Sequence, residues 1–155
     1  MWNKTWNVNV TSTWLVTQAF MPLLFKSESP RVIFITSGTS SVAETENEGL
    51  MVNKSPDAGW PKGKIFQVPA YRSAKTGLNM MYREFYRILG NDKIKVLTVS
   101  PGWLATDLGG VGKEKMKQMG AIEPEKGGEL VASVVHGDRD GDEGKVVRAD
   151  DTQPW

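Results

Sequence analysis

Apolar positions along this chain follow two rhythms. Over residues 7–25, Val10, Trp14, Val16 or Thr17, Ala19 or Phe20, and Leu23 or Leu24 recur at helical spacing with almost no charge between them. A stripe that wide predicts a helix buried on several sides, and Pro22 inside it predicts a kink or an end. Residues 70–89 predict a second helix. Leu78, Met80, Met81, Phe85 and Ile88 mark its apolar face, Arg83, Glu84 and Arg87 the opposite one, and Gly90 its end. A third helix is predicted from Pro124 through Leu130, Val131, Val134 and Val135 to Gly137. The single histidine, His136, falls at its C-terminal cap position.

The second rhythm is short and continuous. Residues 31–36 and 94–99 are β-branched or aromatic runs, and 144–147 form a shorter one. Strands apolar on successive residues suit a parallel sheet covered on both faces. The alternation predicts an α/β fold with a sheet of about three parallel strands, flanking helices and right-handed crossovers. Residues 38–69 lack periodicity and predict one long excursion loop with short helical turns. Residues 103–112 carry Gly109, Gly110 and Gly112 without the strand-turn-helix setting of a nucleotide fingerprint, and read as a mobile lid. Residues 113–120 predict a short basic helix with a solvated face, 138–143 a charged turn, and 148–155 a tail. No repeat or linker divides the chain, so one domain over 1–155 is expected.

Composition narrows the function. Of 155 residues 39% are hydrophobic and 24% charged, a soluble globular balance. A formal net charge of +1 with scattered cations argues against nucleic acid as a partner. The absence of cysteine removes thiol catalysis and Cys-based zinc sites, and one histidine argues against a His-rich metal site or a Ser-His-Asp hydrolase. No run reaches the ~18 apolar residues of a membrane span, and residues 1–6 lack the core of a secretory signal. No metal, no membrane and a cytoplasmic location are the expectations.

The chemistry centres on Tyr71-Arg72-Ser73-Ala74-Lys75 at the start of the second helix. Positions i and i+4 share a helix face. A lysine charge there favours tyrosinate and brings a phenol that ordinarily ionises near pH ~10 closer to exchange at neutrality. That suits acid/base work on an alcohol or carbonyl oxygen. Ser37 and Pro101-Gly102 each follow a predicted strand, and Tyr71 opens the helix between those strands. In parallel α/β sheets ligands bind beyond the carboxyl ends of the strands, so the three segments are expected to converge. Each residue also has a plain structural reading: a helix start for Tyr71, a turn for Ser37, a strand exit for Pro101-Gly102, and helix-backbone satisfaction for Asn9.

Together these residues resemble the short-chain dehydrogenase/reductases. The resemblance rests on Val8-Asn9-Val10-Thr11, Ile35-Thr36-Ser37, the Tyr-xxx-Lys pair and Ser100-Pro101-Gly102-Trp103-Leu104-Ala105-Thr106, four motifs in family order. The Gly144 strand and the Pro154-Trp155 ending look like fungal-type members. The resemblance implies a Rossmann-like, doubly wound parallel sheet and an NAD(P)-dependent oxidoreductase interconverting a secondary alcohol and a ketone or aldehyde. By the same resemblance, Tyr71 is the general acid/base, and Lys75 lowers its pKa and binds the nicotinamide ribose. Ser37 holds the substrate oxygen, and Asn9 places a water in a relay ending at Lys75. Pro101, Gly102, Leu104 and Thr106 border the cofactor, either NADP or NAD, and residues 103–120 act as a substrate lid.

The sequence departs from the family twice. Ser37 and Tyr71 lie 34 positions apart, a long gap that loops over the site and offers Trp60 and Phe66 as pocket walls. The strand followed by Gly-xxx-Gly-x-Gly is absent from the sequence, so a truncated sheet lacking its dinucleotide-binding half is expected, with the 31–36 strand at an open edge. Two other readings remain open. One is a non-catalytic relative that forms a homo-oligomer through helices 7–25 and 70–89, which pack against a partner subunit in this family. The other is a hydrolase using Ser37, which lacks a nearby base.

Overall fold

The computed structural model describes residues 1–63, 66–108 and 110–155. Gly109, one of the three lid glycines, lies outside the described residues.

A four-stranded sheet in the order β1-β2-β3-β4 carries the fold. β1 (Arg31–Ile35) pairs in parallel with β2 (Lys95–Val99), from Arg31 opposite Lys95 to Ile35 opposite Val99. β3 (Val146–Val147) runs parallel beside Thr98 and Val99, and β4 (Thr152–Gln153) returns antiparallel against β3. The tail therefore supplies a fourth strand where about three were expected. Two residues are too few to leave a period-2 pattern in sequence. Among the described residues β1 is paired on one side only, as the missing glycine-rich strand implied.

Helices cover both faces of the sheet, which is why β2 is apolar at successive positions. Val96 packs with Phe34 against Leu78, Tyr82 and Phe85 of α3 (Pro69–Ile88). Leu97 and Val99 turn the other way, onto Leu130 and Val134 of α5 (Pro124–His136). Pro69 and Pro124 each open their helix in the first turn, where a missing N–H costs nothing. Gly137 ends α5 at φ +97°, a left-handed cap that disfavours side-chain-bearing residues, directly after His136.

The first helical stretch differs from the expectation in two ways. It begins at Trp2 rather than near residue 7, as α1 (Trp2–Trp6), a π-helical turn (Asn7–Thr11) and α2 (Ser12–Leu24). Pro22 sits in the last turn of α2, which ends two residues later at Leu24, near where the proline was expected to end it. Burial on several sides is also corrected. Val10, Trp14, Met21 and Leu24 pack on the core, whereas Leu15, Val16, Phe20 and Leu23 are 56–59% exposed. With β1 at the sheet edge, the helix has a layer to lean on along one side only. No helix among the described residues is long and apolar enough to cross a membrane.

The remaining connections are built from short pieces. The 38–69 segment contains 3₁₀ turns at Gly38–Ser40, Ala43–Glu46 and Met51–Asn53. α4 (Lys113–Gln118) presents the expected solvated face, with Lys113, Glu114, Lys115 and Lys117 exposed, and buries Met116 with Ala105 and Ala121.

Candidate active site

Tyr71 and Lys75 lie one turn apart at the start of α3, both half-buried. The Lys75 ammonium nitrogen is 5.9 Å from the Tyr71 ring centroid, within cation–π reach. It also donates to the carbonyl of Ile35, the last residue of β1, at 2.8 Å. Burial holds its pKa below the ordinary lysine value of 10.5, because leaving water penalises the ammonium form.

Asn9 occupies the centre of the π-helical turn. A π turn displaces the residues that follow it and re-aims their side chains, and such turns recur at functional positions. The Asn9 amide donates to the Thr5 carbonyl at 2.9 Å, which leaves its second N–H for another acceptor. Asn9, Thr13, Thr17 and Lys75 line one cavity of about 260 Å³ floored by β1. The structure thus brings Asn9 and Lys75 to one cavity. Ser37 and Tyr71 line neither this cavity nor the one described next.

Ser37 leaves β1 in extended backbone at φ −152° and caps the Gly38–Ser40 turn. Its Oγ accepts from the Thr39 N–H at 3.3 Å and pairs with the Thr39 hydroxyl at 3.1 Å. A second cavity, about 340 Å³, opens beyond this turn among Thr39, Ser41, Thr45, Arg72, Ser73 and Thr76. Trp60 and Phe66, offered as pocket walls, are 88% and 71% exposed and line neither cavity. Aromatic residues in a polar segment gave no register by which to place them.

The segment after β2 is held more firmly than a free lid. Gly102 turns the chain at φ +95°. Leu104 then bridges in parallel to Ile122, with the Ala105 N–H donating to the Ile122 carbonyl at 2.8 Å. Leu104 lies over Gly127 of α5, where an added Cβ would come within 2.6 Å of its Cδ1. Thr106 Oγ1 accepts from the Leu108 N–H at 3.3 Å, and Pro101 is half-buried at the strand exit. Trp103, Leu108 and Val111 form the exposed outer part.

Two residues acquire roles that the sequence did not signal. Arg72, inside the Tyr-xxx-Lys motif, donates to the carbonyls of Thr39 (3.3 Å) and Val52 (2.9 Å) and to Asn53 Oδ1 (2.8 Å). It fastens the first half of the excursion loop to the helix that carries Tyr71. Gln153, in the tail, reaches the backbone of Ser37. Both sets of contacts span long sequence separations, so no local pattern announces them.

No family model matches the sequence. Curated relatives do. The short-chain dehydrogenase/reductase eupG of a Phoma species is 44% identical over 99% of this chain, and tropE of Talaromyces stipitatus is likewise 44% identical over 99%. The chain is a homologue of the fungal short-chain dehydrogenase/reductases. It spans 58% of the length of each of these two relatives. The fold agrees with this: an NADPH-bound carbonyl reductase from chicken superposes with a TM-score of 0.72 at 23% identity, covering 99% of this chain and 57% of that one. The sheet is accordingly a partial Rossmann-like sheet of the short-chain dehydrogenase/reductase type.

Proposed function

We propose that this chain carries the proton-transfer part of an NAD(P)-dependent oxidoreductase site that interconverts a secondary alcohol and a ketone or aldehyde. The observation that supports it best is the placement of Lys75. Its ammonium is half-buried, tied to the end of β1, set beside the Tyr71 ring, and opens on the cavity that Asn9 also lines.

On this reading Tyr71 gives its phenolic proton to the substrate oxygen during reduction and takes it back during oxidation. Lys75 stabilises the tyrosinate that forms between those events. Ser37 donates to the same substrate oxygen as negative charge develops on it. Asn9, which lines the same cavity and has a second amide N–H beyond its bond to Thr5, holds a water through which Lys75 is reprotonated.

The residues present fit one end of a nicotinamide dinucleotide. Lys75 retains ammonium donors beyond its bond to Ile35 for ribose hydroxyls, and Pro101, Gly102, Leu104 and Thr106 would border the nicotinamide. When bound, the dinucleotide supplies or accepts the hydride. The sequence contains no strand followed by Gly-xxx-Gly-x-Gly to cradle the pyrophosphate.

Titration of the purified chain with NADH and NADPH, followed by fluorescence or calorimetry, tests this reading. Saturable binding below roughly millimolar cofactor, with turnover of a carbonyl panel that Tyr71→Phe abolishes without changing cofactor affinity, is the expected result. No binding in that range, or full turnover by the variant, overturns it.

A further inference from the structure

The carbonyl of Ser37 accepts from three donors. The Ser40 hydroxyl lies at 2.6 Å, the Ser40 N–H at 3.0 Å, and the side-chain amide of Gln153 at 3.3 Å, from a residue 116 positions away. Gln153 is only 4% exposed, and the same amide nitrogen donates to the Ser40 hydroxyl at 3.2 Å. Its amide oxygen accepts from Arg148 Nε at 3.4 Å, which fixes the amide's orientation, since a flipped amide would set oxygen against the Ser37 carbonyl.

Ser40 Oγ is saturated in turn. It donates to Ser37, accepts from Gln153, and accepts from Asn79 Nδ2 of α3 at 2.8 Å, while Asn79 Oδ1 accepts from the Thr36 hydroxyl at 2.5 Å. Thr36, Ser40, Asn79 and Gln153 are all at most 4% exposed. Such a network is rigid when every member is satisfied and costly when one is removed. The tail that presents Gln153 is itself pinned, by an Arg148–Glu44 ion pair and by the Ala43 N–H donating to the Trp155 carbonyl at 2.8 Å.

We propose that Gln153 is a positioning residue for Ser37. From β4 it holds the Ser37 carbonyl and the Ser40 hydroxyl, so that the Ser37 side chain is presented from a fixed backbone; this rests on the catalytic reading of Ser37 given above. Glutamine suits the place because two acceptors must be met by donors while Arg148 requires an acceptor. Leucine or methionine supplies neither, and an ionised glutamate supplies no donor.

Gln153→Met and Gln153→Glu in the full chain test it, read by amide hydrogen exchange and by NADPH-dependent reduction of the carbonyl panel. In Gln153→Met the Ser40 amide is expected to exchange about tenfold faster, with amides of β2 unchanged, and kcat to fall about tenfold at constant cofactor KM. Gln153→Glu keeps the acceptor for Arg148 but, ionised beside that guanidinium, supplies no donor to the Ser37 carbonyl or the Ser40 hydroxyl, and should show the same Ser40 exchange and kcat loss as Gln153→Met. The fall in kcat at constant cofactor KM is the signature a merely structural residue would not give, and Gln153→Glu keeps it readable if Gln153→Met fails to fold. Unchanged Ser40 exchange in folded variants, or a uniform rise across the β2 amides, overturns the proposal. A wild-type chain that reduces no carbonyl overturns the catalytic reading of Ser37 instead, while the exchange arm still decides whether Gln153 holds the segment.

Discussion

The Lys75 ammonium donates to the Ile35 carbonyl across 2.8 Å, joining the first turns of α3 to the last residue of β1. This bond holds a charge where burial disfavours it, so the lysine lowers stability in return for its position. Its folded-state pKa lies below the unfolded 10.5, so the unfolded chain binds more protons between those two values and stability rises with pH across that window. Lys75→Met should remove this rise. It should match or exceed wild type in denaturant midpoint at neutral pH while losing turnover, as paired unfolding curves and assays at several pH values would show.

Tyr82 predicts the opposite trend at higher pH. Its phenol is fully buried, and desolvation pushes its pKa up to about 12, partly offset by the hydrogen bond from the Gly144 N–H. A raised pKa gives stability that is complete below the unfolded value of 10 and lost as pH climbs through the folded one. The loss should approach about 3 kcal/mol, from two units at ~1.4 kcal/mol each. Tyr82→Phe should be less stable by about 1–2 kcal/mol at neutral pH, with the Gly144 donor orphaned, and should lack the alkaline component in denaturant titrations.

Arg72 links loop to helix through three hydrogen bonds. Arg72→Ala should cost about 1–3 kcal/mol and expose residues 39–53 to proteolysis before the sheet unfolds. Arg72→Lys should recover little, since an ammonium cannot span three acceptors set around a planar fork. Limited proteolysis with mass mapping of the first cut checks both.

Two neighbouring glycines of α5 should respond with opposite signs. At Gly127 an added methyl would meet Leu104 at 2.6 Å, whereas at Gly128 nothing lies within 4 Å. Gly128→Ala should stabilise by about 1 kcal/mol through helix propensity. Gly127→Ala should destabilise by about 1–3 kcal/mol and displace Leu104, which thermal melts and cofactor titration would register together.

Much of the scaffold was legible because its signals are local. Val32, Ile33 and Phe34, like Val96, Leu97 and Val99, read as strand residues between two layers since each packs with one helix layer or the other, whereas Ile35 at the end of β1 is 41% exposed. Pro124 and Gly137 mark helix ends by backbone chemistry that needs no tertiary context. The Tyr71–Lys75 spacing holds wherever the helix lies. The exposed face of α2 was misread because periodicity reports which residues could be buried, and the number of layers available decides which are.

By itself, then, the sequence determined the α/β alternation, the parallel strands and the four motifs that resemble a short-chain dehydrogenase/reductase. Tertiary structure alone decided that the Lys75 ammonium docks on Ile35, that Arg72 fastens the loop, that Trp60 and Phe66 stand in solvent, and that Gln153 supports the backbone of Ser37. The physical reason is range. Periodicity and capping act over a few residues and are written in sequence, whereas a buried hydrogen bond between residues 37 and 153 exists only once the sheet has brought its ends together.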